Sequence, residues 1–267
     1  QSLSLSQTNP LGIVSFDAKK IAEVKQSYNA GKKEFLTAVN KLKRDADKAL
    51  SAGPFSVMDK SQTPPSGDKH DYMSIGKYWW PDKSKPDGKP YIRRDGEANP
   101  ETKGIKDAEN LDNLISSVAT LSLAYYFTGY EPYAEYASKL MCVWFLNPET
   151  KMNPNLDYAQ AVPGRSDGRG AGIIDAHNFP EFLDAVRLLG TSTSWSANDS
   201  AQLKKWFDEY LSWLIESKNG KEEAKAKNNH GSWYDVQAAS IAIFLGKNNI
   251  AQNIIKEAKS KRIAYQI

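Results

Sequence analysis

Apolar positions recur along most of this chain at helical spacing. From Leu111 they fall at Leu114, Ile115, Val118 and Tyr125, the stripe of a helix that buries one face. Thr128-Gly129 supplies a stop, and Pro132 opens the next helix near its first turn, with Tyr133, Tyr136, Ala137, Leu140 and Trp144 on its apolar side. A third helix reads Leu203, Trp206, Phe207, Tyr210 and Leu214. A fourth runs from about Trp233 to Leu245 and stops at Gly246. A fifth, from about Asn249, uses Ile250, Ile254, Ile255 and Ala258. Two more are predicted over 17–30 and 33–50, split at Gly31, and residues 172–189 read as helix interrupted at Pro180. No segment alternates convincingly as a strand. The helices pair across short turns over 17–50, 107–146, 172–217 and 233–262. Serial antiparallel hairpins of this kind predict an all-α fold, an (α/α) toroid or solenoid, occupying 1–267 as a single domain. No sequence repeat of fixed period is present.

Two stretches break the helical pattern. Residues 53–105 are rich in Pro and Gly and contain KYWWPDKSKPDGKPYIRRDGEANPE; residues 147–171 read NPETKMNPNLDYAQAVPGRSDGRGA. Insertions this long in a compact domain are usually functional or disordered, and the aromatics of YMSIGKYWW would not stay solvated. Both are therefore expected as ordered loops on one rim of the helical scaffold.

Composition narrows the chemistry. The 267 residues are 40% apolar and 25% charged, ordinary for a globular chain, and no apolar run is long enough for a membrane span. The single cysteine, Cys142, excludes a disulfide framework and a thiolate metal site, and reads as a buried inert thiol. A net charge of +3, scattered along the chain, is too small to argue for nucleic acid and would suit an acidic ligand. Seven Trp and thirteen Tyr offer platforms for sugar rings, although most aromatics in any protein are core. The polar start QSLSLSQTNP carries no signal peptide and looks like an end left by processing or cloning.

The candidate chemistry gathers around two of the three histidines. In KNNHGSWYDV, Asn228 and Asn229 precede His230 at the start of a helix. Capping explains the asparagines, and on the stretch alone it stays slightly ahead. The alternative is an amide and an imidazole projecting together where the helix dipole favours an anion. DAHNFPEF repeats the pairing with His177 and Asn178. KYWWP supplies Lys77, Tyr78, Trp79 and Trp80, which either anchor a loop or line a cleft. Arg93, Arg94, Arg165 and Arg169 are either solvated or suited to a polyanionic sugar chain. A metal site lacks any spacing signature, and no nucleophile elbow, Walker loop or dinucleotide fingerprint occurs. Paired acids for glycoside hydrolysis stay open among 32 acidic residues, Asp175 among them.

KYWWPDKSKPDGKPYIRRDGEANPE, GRGAGIIDAHNFPEFLDAVRLL and KNNHGSWYDVQ together resemble the alginate lyase superfamily of polysaccharide lyases, in the Bacteroidetes-type branch acting on alginate or glucuronan. The resemblance runs from about residue 70 to the C-terminus. It implies an (α/α) toroid that cuts 1,4-linked uronates by β-elimination, needs no cofactor or metal, and acts on an acidic polysaccharide in the periplasm or outside the cell. It also implies that Asn229 and His230 are the active-site pair that neutralises the C5 carboxylate, with Lys77, Tyr78, Trp79, Trp80, Arg94, His177, Asn178, Trp233 and Tyr234 in the cleft. The family's catalytic arginine and tyrosine lie downstream of the segment KSKRIAYQI, and Tyr265 is not the matching tyrosine. The expectation is a toroid incomplete at its C-terminus and a chain with little lyase activity of its own. The alternatives on the same fold are an acidic-glycan hydrolase and a uronate-binding protein without turnover.

Overall fold

The computed structural model describes residues 12–264; Tyr265 and the stretch QSLSLSQTNP lie outside them. Helices dominate: α1 (Ala18–Asn29), α2 (Leu36–Ala49), α3 (Asp107–Thr128), α4 (Glu131–Met141), α5 (Phe179–Leu188), α6 (Ala197–Glu216), α7 (Lys218–Glu223), α8 (Asn229–Phe244) and α9 (Asn248–Ala258). α3, α5 and α8 pack side by side as an inner row, and α2, α4, α6 and α9 pack against them from outside. Inner helices meet protein on several sides, so α3 and α8 carry apolar residues nearly all round, whereas α2 and α9 confine theirs to one stripe. This is the all-α arrangement of an (α/α) toroid, built from hairpins with short turns such as the one at Gly129.

The core centres on a ring cluster where the end of α4 meets α5 and α6. Phe145 stands edge-on to Trp206 at 4.8 Å, and Phe179 to Tyr210 at 5.3 Å. Full burial of each such side chain contributes about 1.5–3 kcal/mol. Cys142 is half-buried beside this cluster, and burial pushes its thiol pKa up, which keeps it unreactive. Asp184, fully buried on α5, accepts the backbone N–H groups of Val14, Ser15 and Phe16 at 2.7, 2.6 and 3.3 Å, tying the N-terminal segment to the inner row.

Three expectations change. Residues 172–189 are not one interrupted helix: Gly170–Ala176 forms a 3-10 turn, and Pro180 sits in the first turn of α5, where its missing N–H costs nothing. α8 begins at Asn229, four residues before the apolar pattern does. Short strands exist, and they organise the rim. β1 (Met73–Ile75) pairs in parallel with β4 (Tyr158–Ala161), and β2 (Trp79–Trp80) pairs antiparallel with β3 (Ile92–Arg93). The two long loops are thus joined to each other. A fully buried ion pair anchors them below: Lys60 Nζ lies 2.9 Å from Asp107 at the start of α3 and also donates to the carbonyls of Val57 and Lys69. Among the described residues no helix is long and apolar enough to cross a membrane.

Candidate active site

A cleft of about 810 Å³ opens between the N-terminus of α8 and the strand-bearing rim. Asn228 caps α8: its backbone is extended and its side chain accepts the His230 N–H at 3.2 Å. Capping by Asn228 leaves Asn229, the first helical residue, with its amide on the cleft wall. His230 lines the same wall, and its Nδ1 lies 2.7 Å from Oε1 of Glu223, a buried carboxylate at the end of α7. Burial raises the Glu223 pKa, and the hydrogen bond to His230 partly offsets the shift. With Glu223 ionised, Nδ1 carries the proton. Nε2 is then the nitrogen available to a ligand, as a lone pair when the ring is neutral and as a donor when it is charged.

The turn before α8 is fixed from behind. Arg262 grips Asp235 through Nε and Nη2 at 2.8 and 3.0 Å and donates to the carbonyls of Ala226 and Ala224 at 2.9 and 2.8 Å. Gly231 allows this closeness, since a Cβ there would collide with the Ala226 carbonyl and lie 2.8 Å from Arg262 Cζ.

The facing wall comes from the β2–β3 arm. Side chains alternate across a strand pair, so the partners Trp79 and Arg93 turn to the cleft together. Trp80 and Arg94 occupy the other face, where the indole donates to the Glu97 carbonyl at 2.8 Å and the Arg94 guanidinium lies 5.2 Å over its ring. Lys77 and Tyr78 complete the wall, and Gln160 and Arg169 add two polar groups from the second loop. Lys77, Arg93, Arg169 and Lys225 outnumber Glu222 and Glu223 around the opening, a net positive lining suited to an anion.

Residues 56–267 match the sequence model of the alginate lyase family. The chain belongs to the alginate lyase family. Among solved structures it is similar to an alginate lyase from Bacteroides ovatus, with 47% identity and a TM-score of 0.91 over 94% of this chain and 66% of that one. The chain therefore spans a little under two thirds of that protein's length. Comparison with curated proteins finds no match.

On this alginate lyase family scaffold the expected site residues divide. Asn229, His230, Lys77, Tyr78 and Trp79 share the cleft. Trp80 and Arg94 are turned from it by strand alternation, and Arg93 takes the place expected of Arg94. Tyr234 is a core residue, not a cleft residue: its hydroxyl donates to the Leu214 carbonyl at 3.0 Å, and burial pushes its pKa up to about 12. His177 stands edge-on to Trp233 at 5.1 Å with Nδ1 held by the Ile174 carbonyl, while Asn178 reaches Asp112 at 3.4 Å. Asp112 lines a second cavity of about 550 Å³, whose walls share Lys77 and Gln160 with the first. Asp175 also lines that cavity, but its carboxylate accepts from Tyr72, Ser74 and Gln160 at 3.0, 2.6 and 2.8 Å. With both oxygens already accepting hydrogen bonds, Asp175 has little left to offer a substrate, which counts against it as the nucleophile of the hydrolase alternative. Sequence reasoning missed Glu223 and Gln160. Glu223 sits in the polar run GKEEAK, where nothing distinguishes a buried carboxylate from solvated ones, and Gln160 carries no local signal at all. Among the described residues no group of three or more His, Cys, Asp or Glu side chains is arranged to hold a metal ion.

Proposed function

We propose that this chain carries the carboxylate-binding side of a polysaccharide lyase site that cleaves 1,4-linked uronate polymers, alginate or glucuronan, by β-elimination. The observation that carries the reading is the pairing of Asn229 and His230 at the N-terminus of α8, on a cationic cleft, with Glu223 behind the imidazole. The C5 proton of a uronate is weakly acidic because the adjacent carboxylate is already negative. The Asn229 amide, the helix N-terminus and a protonated His230 offset that charge and stabilise the enolate-like intermediate. Loss of the C5 proton to a base then forms the C4–C5 double bond, the C4–O4 bond breaks, and O4 takes a proton. A neutral His230 has a lone pair on Nε2 for the C5 proton when the sugar's configuration turns that proton toward it. Tyr78 is the cleft tyrosine among the described residues. A polymeric substrate fits a periplasmic or secreted location, which we include in the proposal.

The test is ultraviolet absorbance from the unsaturated uronate, with alginate, its two block types and glucuronan as substrates. It is run on this chain beside one extended at its C-terminus. His230→Ala and Asn229→Ala are each expected to lower turnover by about 10²-fold or more while weakening binding far less. Full activity in both variants would overturn the site assignment. A new reducing end without absorbance would indicate a hydrolase, and a ligand-induced rise in melting temperature without product would indicate a binding protein.

A further inference from the structure

Arg169 is held unlike a solvated arginine. Its Nε donates to the Gln160 carbonyl at 3.0 Å and its Nη2 to Gln160 Oε1 at 2.8 Å. The Trp79 ring lies beneath the guanidinium at 5.9 Å. Gly76 makes room for both, since a Cβ there would come within 2.7 Å of Trp79 Cδ1 and 3.1 Å of Arg169 Nη2. Both acceptors are neutral, and no carboxylate pairs with this guanidinium among the described residues. A guanidinium has five N–H donors, so most of its capacity is left for the cleft it lines.

Gln160 holds it there at a conformational cost. Its φ of 47° lies in the left-handed region, and among the described residues it is the non-glycine with positive φ. Such a conformation persists only where the surroundings enforce it, and it concentrates at functional sites. Here the enforcement is explicit. Gln160 N donates to Ser74 Oγ at 2.8 Å, and its Nε2 donates to Asp175, whose other oxygen is taken by Tyr72 and Ser74. The strained turn aims the Gln160 carbonyl and amide oxygens at one guanidinium. Burial without a directly paired anion lowers the Arg169 pKa, and the nearby charges of Asp175, Glu222 and Glu223 act against that shift.

We propose that Arg169 is a second carboxylate-binding group of the cleft, taking the uronate next to the one engaged by Asn229 and His230. It makes the site selective for runs of uronate over chains in which uronates alternate with neutral sugars. Gln160 is its positioning residue. The inference rests on the uronate reading of the site above. A cleft of about 810 Å³ lies toward the upper end of the roughly 300–1,000 Å³ typical of ligand sites, which gives room for more than one sugar ring.

Isothermal titration of the 267-residue chain tests it, with tetramannuronate and tetraglucuronate against a tetrasaccharide of alternating glucuronate and N-acetylglucosamine. Arg169→Gln is expected to weaken binding of the homouronates by about tenfold or more and to leave the alternating ligand within about twofold. Arg169→Lys, which keeps the charge and loses the fork, should fall between. If Arg169→Gln melts early, Gln160→Gly serves instead, because it removes the amide oxygen that holds Nη2 and suits the positive φ, and the same selective loss is expected. Unchanged homouronate affinity, or an equal loss for both ligand types, overturns the proposal. Failure of the unmodified chain to bind any of the three would instead reject the uronate reading itself.

Discussion

Asn228 and Asn229 are neighbours of identical chemistry that both line the cleft, and Asn228 also caps α8 through its side chain. Capping and a place on the cleft wall thus stop being competing explanations of KNNHGSWYDV. Glu223 shows what the site costs. Its carboxyl pKa is raised above the ordinary glutamate value of 4.5, mainly by burial. A raised carboxyl holds its proton more tightly in the folded chain than in the unfolded one. Its contribution to stability is therefore greatest below pH 4.5 and declines as the pH climbs from there through the raised value. At neutral pH the charged group is a burden on the fold. Glu223→Gln should therefore melt at or above the wild-type temperature at pH 7, with the difference shrinking as the pH approaches 4.5. Its affinity for polyuronate should fall, because the imidazolium loses its counter-charge. A pH series of melting curves beside titration calorimetry checks both halves, and a lower melting temperature at pH 7 would contradict the first.

Helices were legible in the sequence because their signal is local: the stripes at Leu111 to Tyr125 and Leu203 to Leu214 each lie within one element and need no knowledge of partners. The strands were not, since β2 and β3 are two residues long and β1 finds its partner near residue 158. Arg93 and Arg94 could be told apart only once that pairing was known. The start of α8 was misplaced for a related reason, because the turn Asn229 to Ser232 has no apolar stripe and exists by virtue of its cap. Asn228→Ala should accordingly cost about 0.5–2 kcal/mol in denaturant unfolding. It should also weaken polyuronate binding, since fraying would reach Asn229 and His230 first. Unchanged binding in the destabilised variant would separate the cap from the site.

Across the whole molecule, the scaffold and the rim are joined at several points, among them Asn110 to Asp59, Trp206 to the Met152 carbonyl and Trp213 to Asp157. The Lys60–Asp107 pair joins the first long loop to the start of α3, and burial pushes the carboxyl up and the ammonium down. Removing one partner leaves the other charge unpaired in the interior, so Lys60→Met should destabilise the chain by about 3–5 kcal/mol. Adding Asp107→Asn should recover part of that loss, because the amide oxygen still accepts the Met73 N–H. Chemical denaturation of the single and double variants measures both. No sequence pattern announced this pair, because its members are 47 positions apart, Lys60 to Asp107, and each looks solvated in its own segment. The parallel joint between β1 and β4 reaches further still along the chain. Closing contacts between segments so distant along a chain costs more loop entropy than closing the local hairpins does. Trp79, Gln160 and His230 come from three segments that far apart, so the cleft exists only where the long-range joints have closed, however helical the chain already is.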